Sequence, residues 1–230
     1  MALGLPDGVT ACLFDLDGVL TKTAEVHARA LKQTFDAFLK ERGEPPFDLH
    51  GDYDEYVDGK PRLDGVRDFL ASRGITPSDD EVTRIADAKN DLVLKLIHDD
   101  GVEAYDGSVR YLHAARDAGL RRAVVSSSHN CHDVLVAAGI DDLLEERVDG
   151  VVAEEQHLKG KPAPDTFLQG AKLLGVAPEQ AAVFEDALAG VAAGHAGAFG
   201  FVVGVDRAGQ RDALLEHGAS VVVDDLADLL

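Results

Sequence analysis

The chain has 230 residues, of which 46% are hydrophobic and 28% charged, the balance of a protein that can bury a substantial core. Its 22 Lys and Arg against 42 Asp and Glu leave a formal charge of −20, which disfavours nucleic acid and anionic membrane surfaces as partners. An anionic small molecule remains admissible, provided a metal ion, a few Lys or Arg and helix N-termini supply positive charge locally.

No stretch approaches about 18 uninterrupted apolar residues. Met1 to Thr10 (MALGLPDGVT) lacks the basic and apolar regions of a secretory signal, so the expectation is a cytoplasmic protein. Cys12 and Cys131 are too few and too scattered for a disulfide framework or a zinc site.

In chain order, Ala11 to Phe14 is a short apolar run that breaks into Asp15-Leu16-Asp17-Gly18, the pattern of a buried strand entering a turn. From about Ala24 to Asp100 the periodicity is helical, without a convincing strand. One helix there opens at Pro61 and ends before Gly74. Another begins at Ser78, with Glu81 completing a capping box, and runs to Gly101. Helical patterns then stop at Gly119, Gly139 and Gly175. They alternate with apolar runs at Arg121 to Ser128, Gly150 to Ala153, Ala181 to Phe184, Phe199 to Val205 and Ala219 to Val223, continuous enough to be parallel strands buried on both faces. The expected fold is α/β: a doubly wound, Rossmann-like parallel sheet core of residues 1–22 and 102–230, with a helical cap of residues 23–101 inserted after the first strand.

Asp15 and Asp17 stand at the end of the first strand, where the ligand crevice of such a sheet opens. A carboxylate repels a phosphate dianion unless a shared divalent cation neutralises the phosphoryl oxygens. Asp-x-Asp-Gly is also an ordinary loop signal and occurs in calcium sites, so the pair alone leaves both readings open. Glu185-Asp186 repeats the device after a later strand, with Asp186 as a simple helix N-cap the competing account. Between the pairs lie Ser126 at a strand end and Lys161 in Gly-Lys-Pro-Ala-Pro-Asp, a hydroxyl and a cation suited to phosphoryl oxygens.

These four elements, in this order, resemble the haloacid dehalogenase-like hydrolase superfamily over essentially the whole chain. The resemblance implies Mg²⁺-dependent phosphoryl transfer through an aspartyl-phosphate. Asp15 is then nucleophile and metal ligand, and Asp17 is general acid/base and ligand through its carbonyl. Ser126 and Lys161 steady the phosphoryl group, and Glu185 and Asp186 complete the metal site. The dehalogenases themselves do without that metal site, so its presence points to phosphate chemistry.

A finer resemblance is to the β-phosphoglucomutase-like subfamily. Phe14 to His27 is similar to its opening motif, with Thr23 and His27 at the hinge. Gly59-Lys60-Pro61-Arg62 is similar to its cap phosphate loop, Lys89-Asn90 to its cap lysine, and Phe184 to Gly190 to its acidic motif. The resemblance implies that Arg62 holds a distal phosphate and that Ser128 and Asn130 contribute to binding. Where the subfamily has Ser-Lys-Asn, this chain has Ser128-His129-Asn130, replacing a fixed charge with a titratable one.

Helical phase gives partial support. At about 100° per residue, Lys89 falls within the stripe of Val82, Ile85, Ala86, Leu92, Val93 and Leu96, facing either a ligand or an edge to which it snorkels. His27 shares a face with Ala24, Leu31, Phe35 and Phe38, either as a site residue or as a hydrogen-bonded core histidine. The expected activity is interconversion of a hexose 1-phosphate and 6-phosphate. The alternative is a phosphatase for sugar phosphates or other small phosphomonoesters, with a non-catalytic regulator of the same fold more distant. The expected partner is a small phosphorylated sugar, with no nucleic acid and no membrane, and the expected state is a monomer, with a dimer as the alternative.

Overall fold

In the computed structural model, which describes residues 2–49, 51–57 and 60–230, the run Ala11–Phe14 forms β1 and all its side chains are buried. It is joined by β2 (Arg121–Val125), β3 (Glu146–Val148), β4 (Ala181–Glu185), β5 (Phe201–Val205) and β6 (Val221–Val223). The strands are parallel, in the order β3-β2-β1-β4-β5-β6. Phe14 lies in register with Val124 on one side and Phe184 on the other.

Alternation along the strands splits the buried side chains between two layers, as the period of a strand requires. Cys12, Phe14, Val124 and Phe184 face α5 (Asp106–Asp117) and α6 (Cys131–Ala138). Leu13, Val125 and Val183 face α8 (Asp165–Leu174), α9 (Leu188–Ala196) and α10 (Arg211–Glu216). The chain order reverses between β1 and β4, so the crevice beyond their carboxyl ends is the switch point at which such sheets bind ligands.

One expected strand is a helix. Gly150–Glu155 forms α7, capped by Asp149, whose carboxylate accepts from Val152 N at 3.0 Å. The edge strand precedes it at Glu146–Val148, where charged residues interrupt the apolar signal. A four-residue apolar run does not distinguish strand from helix, and the Asp149 cap decides it here. The β2 run also ends early, at Val125, although Ser126 N still donates to Val148 O of β3 at 2.9 Å.

Residues between β1 and α5 build α1 (Thr23–Lys40), α2 (Asp52–Tyr56), α3 (Arg62–Ser72) and α4 (Asp79–Asp100). Their apolar faces meet in a separate cluster around Phe35, Phe47 and Phe69, with ring centroids 4.4 to 5.1 Å apart. The expected Ser78–Glu81 capping box opens α4. The two chain crossings between the layers lie side by side: Thr21 bridges Ala104, Lys22 N donates to Glu103 O at 2.9 Å, and Tyr105 N donates to Leu20 O at 3.0 Å. Among the described residues no helix is long and apolar enough to cross a membrane.

Candidate active site

At the switch point the register that aligns Phe14 with Phe184 brings the next residues, Asp15 and Glu185, to the ends of adjacent strands. Lys161 joins them. The residue is 2% exposed, and its ammonium donates to Asp15 Oδ1 at 2.5 Å, Glu185 Oε1 at 2.6 Å and Val125 O at 3.1 Å. Burial alone would lower the pKa of Lys161. The carboxylates of Asp15 and Glu185 outweigh it and raise the pKa, so the ammonium stays charged. Burial pushes Asp15 the other way, well above the usual carboxylate range, with Lys161 opposing and the charges of Glu185 and Asp17 adding to the rise.

Asp15, Glu185 and Asp186 offer carboxylate oxygens within 4.8 Å of one another. Glu185 is fully buried, and its second oxygen accepts from Ala187 N at 2.9 Å. Asp186 does not cap α9, whose N-cap position is Ala187. Instead, Asp186 packs on Gly18: a Cβ built on that glycine would fall 1.8 Å from Asp186 Oδ2. A set of hard oxygens with more carboxylates than its one buried lysine neutralises fits a divalent cation.

The carboxylate of Asp17 lies outside that cluster and faces the helical layer. Its Oδ1 accepts from Thr23 Oγ1 and stands 3.4 Å from His27 Nε2. Thr23 Oγ1 is in turn 2.7 Å from Thr21 Oγ1. Lys89 Nζ lies 2.7 Å from His27 Nδ1, so the ammonium donates to a neutral ring whose proton sits on Nε2. Burial, followed by the Lys89 charge, holds the pKa of His27 down at about 4 against Asp17, which raises it. Lys89 is itself held down at about 8, by burial above all, with Asp17 opposing and Arg62 adding to the fall. Lys89 thus turns inward to His27, and both side chains line the cleft above the sheet ends.

A cleft separates the sheet ends from the helical layer. Asp15, Asp17, Ser128, Asn130, Glu185 and Asp186 line one wall, and His27, Lys60, Arg62 and Lys89 line the other. Arg62 begins α3 and pairs with Asp87 at 3.5 Å. Gly59 of the expected phosphate loop lies outside the described residues. Asn130 crosses the cleft, donating from Nδ2 to Asn90 Oδ1 at 3.0 Å. Ser126 stands behind the wall with Lys161 in an adjoining groove, its Oγ accepting from Ser128 N at 3.0 Å. His129, in place of a lysine, pairs with Glu154 at 3.1 Å.

Sequence reasoning passed over Ser127 and Tyr53, which also line the cleft, and Thr21. Nothing in spacing marks Tyr53, because α2 is a short turn whose direction only packing sets.

This arrangement can hold a phosphoryl group against Asp15 and a second anion beneath Arg62. The sequence matches the model of the haloacid dehalogenase-like hydrolases over residues 9–197. The chain belongs to the haloacid dehalogenase-like hydrolase family. It is 55% identical to a β-phosphoglucomutase of Mycobacterium bovis, with 99% of this chain and 94% of that protein aligned. Among solved structures, it is similar to a β-phosphoglucomutase from Clostridium difficile, with a TM-score of 0.81, 27% identity and 96% and 93% of the two chains covered. It is also similar to the protein CbbY of Rhodobacter sphaeroides in complex with phosphate, with a TM-score of 0.75, 25% identity and 96% of each chain covered. The haloacid dehalogenase-like fold thus accounts for the sheet order, the buried acidic cluster and the helical layer above it.

Proposed function

We propose that this chain is a magnesium-dependent phosphoryl-transfer enzyme of the β-phosphoglucomutase type, interconverting β-glucose 1-phosphate and glucose 6-phosphate with Asp15 as covalent nucleophile. The observation that carries this reading is the two-sided cleft: a buried carboxylate gripped by Lys161 on one wall and the cations Arg62 and Lys89 on the other. A hydrolase of small monoesters needs only the first wall, whereas a sugar bisphosphate presents an anion to each. The relatives named β-phosphoglucomutase support the same substrate class. Residues 1–22 and 102–230 are the catalytic core in this reading, and residues 23–101 are a cap that closes over it.

Asp15, Glu185 and Asp186, with the main-chain carbonyl of Asp17, would hold Mg²⁺. When bound, the ion supplies charge neutralisation for the phosphoryl oxygens. Lys161 fixes Asp15 Oδ1, leaving Oδ2 to bond phosphorus. Phosphorylated Asp15 gives its phosphoryl group to the 6-hydroxyl of the sugar, and Asp17 takes the hydroxyl proton. The bisphosphate turns round, and Asp15 attacks the other phosphorus. The bond to the oxygen on carbon 1 breaks, and Asp17 returns the proton to that oxygen. Thr23 and His27 orient Asp17, while Arg62, Ser128 and Asn130 hold the phosphate that is not reacting. Ser126 supports the loop that carries them. The closed cap excludes water, which would otherwise take the phosphoryl group.

One assay tests the reading: Mg²⁺, β-glucose 1-phosphate and a trace of the 1,6-bisphosphate, with glucose 6-phosphate and inorganic phosphate followed together. Glucose 6-phosphate should accumulate with little free phosphate. Rapid phosphate release without isomerised sugar would make the chain a phosphatase. Activity persisting in Asp15→Ala would remove the nucleophile assignment.

A further inference from the structure

The loop between β5 and α10 lies outside every motif that marks the acidic cluster, yet it touches the backbone of both halves of that cluster. Gln210 Nε2 donates to Asp186 O at 3.2 Å. Arg207 Nε donates to Gly18 O at 2.9 Å. On its other side, the Gly18 peptide N–H donates to Thr21 O at 2.8 Å. The turn that carries Asp15 and Asp17 is therefore held between the first chain crossing and Arg207.

Arg207 reaches the second crossing as well. Its guanidinium carbon lies 3.7 Å from the ring centroid of Tyr105, close enough for cation–π stacking. Nη1 donates to Asp224 O at 2.8 Å, which fixes the plane of the group from the sheet side. Tyr105 is the residue whose backbone N–H pairs with Leu20 O, so the stacked ring stands where the helical layer rejoins the core. One planar cation thus contacts the catalytic turn at its edge and the crossing on its face. A lysine, with a compact ammonium and no planar fork, cannot make both contacts in this geometry.

We propose that Arg207 is a positioning residue that ties the cap hinge at Tyr105 to the catalytic turn at Gly18. Movement of the cap about its two crossings is thereby transmitted to the backbone between Asp15 and Asp186. The kinetic part of this inference rests on the phosphoryl-transfer reading, and the structural part does not.

The test compares wild type with Arg207→Lys, Arg207→Ala, Tyr105→Phe and Tyr105→Leu. It measures kcat and KM for β-glucose 1-phosphate isomerisation and for p-nitrophenyl phosphate hydrolysis, and backbone amide exchange by mass spectrometry. For Arg207→Lys, kcat should fall about 100-fold in both reactions, the cost of a small misplacement of reacting groups, with KM little changed. Amide exchange should accelerate in the segments Asp15 to Lys22 and Gly101 to Asp106 while the sheet strands keep wild-type protection. Tyr105→Phe, which keeps the ring, should match wild type, and Tyr105→Leu should move with the arginine variants. Should wild type catalyse neither reaction, the functional reading fails and the exchange measurement alone decides the coupling. Wild-type kcat in Arg207→Lys, exchange unchanged in either segment, or acceleration spread over the whole sheet would overturn the proposal.

Discussion

Gly18 is pressed against Asp186: its backbone runs at φ +87°, and any Cβ would stand 1.8 Å from the Asp186 carboxylate. The close approach and the left-handed conformation both demand glycine. Gly18→Ala should therefore displace the two acidic motifs from each other. We expect kcat to drop about 100-fold and Mg²⁺ affinity to weaken, as measured by steady-state kinetics and by calorimetric titration of the ion. Unchanged metal affinity would show that the turn yields without disturbing Asp186.

Lys161 compensates two buried carboxylates, and removing it strands them. Lys161→Met should abolish phosphoryl transfer and lower stability by about 3–5 kcal/mol, the usual cost of leaving a buried charge without its partner. Urea unfolding at neutral pH measures the loss. A variant as stable as wild type would mean that Asp15 or Glu185 takes up a proton at little cost.

Lys89 sits at about 8 because it is buried, so its charge is present below that value and is lost as pH rises through it. Affinity for the anionic substrate should accordingly weaken from about pH 8 upward, seen as a rise in KM, and a bound phosphate would shift the rise to higher pH. Lys89→Arg keeps its charge throughout this range and should flatten the profile. The pH dependence of KM for both forms is the measurement.

Phe69 packs on Phe35 and Phe47 within the helical layer, away from the sheet. Phe69→Ala should cost about 3–5 kcal/mol in thermal or urea unfolding. If the cap is what shields the phospho-enzyme, this variant should also release more free phosphate per glucose 6-phosphate formed.

Cys12 and Cys131 are both free and buried, and desolvation by burial raises both thiols well above their usual range. Cys131 starts α6, where a helix N-terminus would lower an exposed thiol, but burial wins. Neither should react with a disulfide reagent in the native protein. Both should react in denaturant, as counted spectrophotometrically.

The sheet was legible wherever strands are buried on both faces, because a parallel strand without a polar face writes itself as an unbroken apolar run. That signal failed at β3, an edge strand whose Glu146 and Arg147 interrupt it, and it passed to the neighbouring Gly150–Glu155, which a carboxylate cap turns into helix. The acidic motifs were legible for a related reason: their residues follow apolar runs directly, so strand ends and chemistry coincide in the chain. By itself, then, the sequence determined the α/β alternation, the inserted helices and the order of Asp15, Ser126, Lys161 and Glu185. Only the tertiary structure decided that Lys161 bridges Asp15 and Glu185, that Lys89 turns to His27 rather than to solvent, and that Arg207 stacks on Tyr105 while holding Gly18. Local periodicity specifies which face of an element is apolar, but contacts between residues far apart in the chain depend on strand register and helix packing, which no single segment encodes.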